Sequence, residues 1–411
     1  MIISLGKRGD RILMLNIRKV FVNFTVISMI VLALQFPISY FFRLANYFDE
    51  IFTIFLLLFF IIRNIRIKKS VFMELLLVIL IVVIGLASNI NSNYQNSSLV
   101  IIGDIISVIK VPLVLILYTN TVKDNENKSV IKMLTKFSKL YILIAFIVAV
   151  YAYLFHINTF FASERYGIGA YKFICRNAGI FGYLVMGMVA LLSFNKNEFK
   201  NKKIIVILGL TLIALTTKGP QLLFVGIYIF LYLMRINKIK WYHFLAIGVI
   251  AIVVGSYQIQ HYLKPTEARY ALTAASFIIA KDHFPFGTGF ATFGSEMSKA
   301  FSYSPVYIKY GLNFIRGLNE EYTAYVTDNY WPMILGQLGY ISLLVFICFY
   351  YKVFKRINET NDKNVKRIIL SLFITFMIGS LGSQYLTSAE GVFCFCILAM
   401  YFCANKKGRI K

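Results

Sequence analysis

Of the 411 residues, 59% are hydrophobic and only 15% are charged, where a soluble globular domain carries about a quarter; the composition excludes an ordinary soluble domain and points to the membrane. Lys and Arg outnumber Asp and Glu by 43 to 18, a net charge of +25. Such a balance would suggest nucleic acid, but the basic residues sit in short stretches beside apolar runs, as in "RNIRIKK" (63–69) and "NKNEFKNKK" (195–203), which fits anchoring in a lipid bilayer and leaves no nucleic-acid partner.

Apolar runs able to cross a hydrocarbon core of about 30 Å occur at 20–36, 48–62, 71–88, 99–119, 137–155, 178–194, 204–217, 221–234, 241–262, 330–351, 368–386 and 389–404. The predicted fold is an all-α polytopic membrane protein, one domain of residues 1–411 with about twelve transmembrane helices. The first run has no small-x-small site at its end and reads as a retained helix, not a cleaved signal peptide. Most Lys and Arg fall in alternate connections and at both ends of the chain. The positive-inside tendency therefore places both termini in the cytoplasm. Four of the five Cys lie within apolar runs, Cys175 stands apart, and no spacing suggests a zinc site or a disulfide framework.

Two outer connections are long. The smaller spans 156–177 and the larger, about 67 residues, spans 263–329, before the last three predicted spans. A loop of that length is usually functional or disordered, and this one is too rich in Tyr, Phe and apolar residues for disorder. Its first part, 266–282, has helical spacing, with Ala271, Ala275, Phe277 and Ile278 on or near one side, and suits a helix lying flat on the membrane. "HFPFGTGF" then demands a turn at Pro285, Gly287 and Gly289. Such glycines serve an exit turn or let backbone amides approach an anion. The loop's Tyr residues suit an interfacial belt or the faces of sugar rings.

Four cations stand on the predicted outer side: Arg165 and Arg176 in the smaller connection, Lys218 in "TTKGPQ", and Arg269 at the start of the larger loop. Structural pairing with Glu164, Glu267 or Glu320 would account for any one of them; as a set they fit a polyanion, since Arg forks and Lys charges hold phosphates. Within the spans, Asp104 and Lys110, on different sides of one helix, need partners on other helices, or with Glu74 mark an ion path. At the loop's end, "TDNYWPMILGQLGY" (327–340) sets Asp328 and Asn329 before an apolar run, where Asp328 either caps the helix or does chemistry.

This layout, with "ARYALTAASFIIAKDHFPFGTGFATF" opening the large loop, "TKGP" at 217–220 and "DNYWPMILGQLGY" closing the loop, resembles the O-antigen polymerase (Wzy) and O-antigen ligase superfamily of bacterial membrane enzymes. Ligases of that family usually carry His-Asn at the loop's end; Asp328-Asn329 here resembles the polymerase form. The resemblance implies a fold like the all-helical (GT-C-like) lipid-sugar glycosyltransferases, with no metal and no cofactor. It implies transfer of a growing glycan from undecaprenyl diphosphate to a sugar hydroxyl of the next lipid-linked repeat unit, at the outer face of the bacterial cytoplasmic membrane. In it Arg165, Arg176, Lys218 and Arg269 would hold the diphosphate, and His283, Gly287, Gly289, Asn329 and Tyr330 would shape the substrate cavity. Asp328, or else Glu320 or Glu321, would act as the base. A chain-length regulator and a flippase of the same pathway would be partners. The alternatives are glycan transfer to another acceptor and, from another class, a lipid-linked oligosaccharide flippase.

Overall fold

In the computed structural model the described residues are 2–63, 69–194, 201–262, 264–300 and 303–405; parts of both basic stretches named above lie outside them. The helices, in chain order, are α1 (Ile2–Ala33), α2 (Gln35–Ser39), α3 (Phe48–Arg63), α4 (Lys69–Ser92), α5 (Ser98–Thr121), α6 (Asp124–Leu154), α7 (Ala178–Ser193), α8 (Lys202–Leu215), α9 (Gly219–Leu233), α10 (His243–Tyr262), α11 (Ala268–Asp282), α12 (Met297–Ala300), α13 (Pro305–Lys309), α14 (Tyr330–Asn358), α15 (Lys363–Gly379) and α16 (Ala389–Ala404). A helix lies on each of the twelve apolar runs. By length and hydropathy, six segments among the described residues suffice to cross a membrane: Arg43–Arg63, Val71–Ser92, Ser98–Thr121, Asp124–Leu154, His243–Tyr262 and Tyr330–Asn358. The protein is an all-α membrane protein with, among the described residues, one small antiparallel hairpin, β1 (Phe161–Arg165) and β2 (Ile168–Tyr171).

The chain divides into two compact units. The first comprises Met1–Arg66, Leu117–Thr216 and Phe393–Lys411, the second Ile67–Ile116 and Thr217–Val392. In the first, α6 packs on α1, α7 and α8. Its start is fixed by an ion pair in which both Arg63 terminal nitrogens reach Glu126, at 2.8 and 3.1 Å, under the rings of Phe21 and Phe59. Two parallel charge-assisted bonds with little solvent hold that geometry better than a surface pair would.

In the second unit α14 packs on α4, α11 and α15, and α9 on α10 and α15. α4 and α14 meet at both ends: Glu74 is near Lys352 and Arg356 at one, and the other holds the turn described below. The large loop folds onto this end and buries Ala268, Ala271, Leu272, Ala275 and Ile279 of α11 with Phe293, Val306, Tyr307 and Leu318. The α11 face differs from the expected one. Ala271 and Ala275 face protein, whereas Phe277 and Ile278 are exposed with Tyr270, because small residues allow α14 to approach closely while the bulky ones are left for surroundings that hydropathy alone does not distinguish from a core.

Candidate functional site

The four predicted cations are divided between the units: Arg165 and Arg176 belong to the first, Lys218 and Arg269 to the second. Arg165 ends β1 and is buried; the turn after it, Tyr166-Gly167, has φ of 54° and 73°, the double positive-φ form that joins hairpin strands in two residues. Arg176 is exposed, one residue before Asn177, whose side chain caps α7 by accepting from the Ile180 amide at 2.9 Å. Lys218 is half-buried at the start of α9.

Arg269 and Asp328 do come together. In the first turn of α11, the Arg269 Nε donates to Asp328 Oδ2 at 3.0 Å, and its guanidinium lies 4.4 Å from the centre of the Tyr262 ring at the end of α10. Each side chain keeps about a quarter of its surface exposed, so the guanidinium's terminal nitrogens are not enclosed by this pair. Beside them Asn329 is buried, its Nδ2 donating to the Arg269 carbonyl at 2.8 Å and to Thr273 Oγ1 at 2.9 Å. Its Oδ1 is buried with no partner among the described residues.

The capping reading of this pair fails. Asn329 is the residue at the helix boundary and its side chain caps nothing, while the Asp328 carboxylate is turned to Arg269. The first amide of α14, on Tyr330, donates to the Ser380 carbonyl at 3.1 Å, and Pro332 has no amide to satisfy. The positive end of the α14 dipole would lower the Asp328 pKa. Instead burial raises it above the usual carboxylate range, against the opposing pull of Arg269 and then Lys299. Lys299 of α12 was missed in the sequence; its Nζ donates to the Thr323 carbonyl at 3.2 Å and pairs with Glu296 at 3.2 Å. Glu320 and Glu321 are exposed. The Tyr303 hydroxyl is pushed up to about 12, by burial first and then by the Glu320 charge.

The "FGTGFATFG" turn is enclosed in protein. α14 is interrupted at Gly339 (φ 69°, ψ −172°), and the carbonyls of Gly336 and Gln337 accept from the amides of Thr288 and Gly289, at 3.0 and 2.6 Å. Asn89 of α4 exchanges two bonds with Phe290, Asp104 of α5 accepts from the Ala291 amide at 2.6 Å, and Gln337 accepts from Thr292 at 3.0 Å. Irregular backbone among apolar helices persists only where protein satisfies it, and here these amides are spent on internal partners, not presented to an anion. A Cβ on Gly287 would lie 2.6 Å from the Gly339 nitrogen, and one on Gly289 2.5 Å from Asn89; close packing is what these glycines supply. Among the described residues, Asp104 meets this turn and not another helix's cation.

His283 closes α11, half-buried, with Tyr94 edge-on at 5.6 Å. Burial first and the Lys309 charge second lower its pKa, so the neutral imidazole prevails at pH 7. Lys309 itself donates to the Tyr94 hydroxyl at 2.6 Å, and the Tyr310 hydroxyl donates to Asp282 at 3.0 Å. Tyr330 is fully buried under α14's other aromatics, 5.2 Å from Trp331 and 6.2 Å from Phe346, and supports the helix start from behind. Neither the protein-family models nor the characterised proteins contain a match to this chain.

Proposed function

We propose that the protein is a polysaccharide polymerase, a membrane glycosyltransferase with about twelve spans. It transfers a growing glycan from a polyprenyl diphosphate to a hydroxyl of the next lipid-linked repeat unit, at the outer face of a bacterial cytoplasmic membrane. The observation that carries this reading is the Arg269–Asp328 pair. A sugar hydroxyl needs a base within hydrogen-bond reach, and a carboxylate with a raised pKa is a better base than an ordinary Asp. The leaving diphosphate needs fixed cations, and Arg269, stacked on Tyr262 and oriented through Nε, has terminal nitrogens left to offer. In the transfer, the C–O bond between the anomeric carbon and the diphosphate breaks, the acceptor oxygen bonds that carbon, and its proton passes to Asp328.

Lys218 adds a second cation from the same unit in this reading. The chain-length regulator and flippase belong to it as pathway partners. The experiment is deletion of the chain in its native host. Polymerase function predicts loss of long glycan and accumulation of single lipid-linked repeats on the outer face; accumulation on the inner face would instead identify a flippase. Loss of transfer to a different acceptor, with long lipid-linked glycan intact, would identify a ligase.

A further inference from the structure

Beyond the pair itself lies a connection between α15 and α16 that no reading of the sequence singled out. Gln384, in that connection, donates through Nε2 to the Gly294 carbonyl and, at 3.3 Å, to the Asn329 carbonyl. One amide group thus joins the end of the buried turn to the residue after Asp328. The middle of the same turn rests on Asp104. This carboxylate is 1% exposed, accepts from the Ala291 amide at 2.6 Å and is adjoined by Ser295 and Gln337. Ala291 is held at φ 61°, a left-handed conformation that a residue with a Cβ adopts only under constraint. A carboxylate within a membrane helix is costly and marks a role by default.

We propose that Asp104 and Gln384 are positioning residues for Asp328: Asp104 fixes the buried turn 288–295 through Ala291, and Gln384 transmits that fixed position from Gly294 to Asn329. The Asn329 side chain then bonds the Arg269 carbonyl and Thr273, so the register of Asp328 against Arg269 depends on the turn. Neither residue touches substrate. Their part in glycan transfer rests on the reading above, but the coupling is measurable without any glycan.

The test places a reporter cysteine at Thr327, half-buried beside Asp328, in a full-length chain whose five native cysteines are replaced by Ala. Its modification rate with a hydrophilic maleimide is compared at matched abundance. Asp104→Leu and Gln384→Ala should each speed modification about tenfold, the scale set by losing the hydrogen bonds each makes. Asp104→Asn, which keeps an acceptor for the Ala291 amide, should stay close to the parent rate. A control cysteine at Tyr166, on the hairpin tip in the other unit, should be unaffected. Unchanged labelling at position 327 in Gln384→Ala would overturn the proposal even if Asp104→Leu failed to insert. So would Asp104→Asn behaving like Asp104→Leu, or equal acceleration of the control, which would mean general loosening. Where the wild-type chain makes polymer, the two fast-labelling variants should lose long chains and Asp104→Asn should keep them; a failure of the polymerase reading would show in the deletion strain and leave the labelling result standing.

Discussion

Asp328 is placed where two effects oppose: burial disfavours its charge, and Arg269 and Lys299 favour it, with burial ahead. A carboxylate whose pKa rises on folding contributes stability that is complete below its unfolded value and is lost as pH climbs through the folded one. The melting temperature of the detergent-solubilised protein should therefore decline with rising pH just above the ordinary Asp range, and Asp328→Asn should flatten that slope. The same substitution should abolish glycan transfer, since an amide cannot accept the proton. Lys299→Gln removes a charge that lowers the Asp328 pKa, so the acidic limb of the pH–rate profile should move to higher pH; a shift to lower pH would mean that another group is the base. Arg269→Ala should cost roughly 30- to 1,000-fold in rate, the range for one charge-assisted contact in a desolvated site.

At the scale of elements, the interruption of α14 is the decisive feature, since it frees two carbonyls for the buried turn. A Cβ on Gly339 would lie 2.2 Å from the Pro285 carbonyl oxygen, on a backbone of positive φ. Gly339→Ala should destabilise the protein by about 2 to 5 kcal/mol, read as a lower melting temperature. Gly248→Ala on α10, where a Cβ would meet none of the described residues within 4 Å, should change stability by about 1 kcal/mol or less. The helices were legible in the sequence because apolar runs between polar connections report themselves locally. So was the Asp328-Asn329 position, as an acid and an amide at a helix start. The break at Gly339 was not, because its cause lies in residues about fifty positions earlier. Asn89 was not either: it looks like an ordinary polar end of an apolar run until Phe290, 201 residues on, is known to be its partner. Asp104 was visible as costly, yet its partner is a backbone amide that carries no side-chain signal.

For the whole molecule, the proposed reaction requires the orientation that the positive-inside tendency predicts from the distribution of Lys and Arg. A cysteine placed at Ser97, exposed between α4 and α5, should react with an impermeant reagent applied to intact cells, and one at Asn361, exposed between α14 and α15, should not. The reverse pattern would put Asp328 on the cytoplasmic side and remove the outer-face reaction. The most direct measurement is made on the purified chain in liposomes, supplied only with a polyprenyl-diphosphate-linked oligosaccharide repeat. The account predicts a ladder of glycan lengths with release of polyprenyl diphosphate, and neither with Asp328→Asn. Repeats that cross the bilayer and remain single, with no diphosphate released by the wild-type chain, would contradict it.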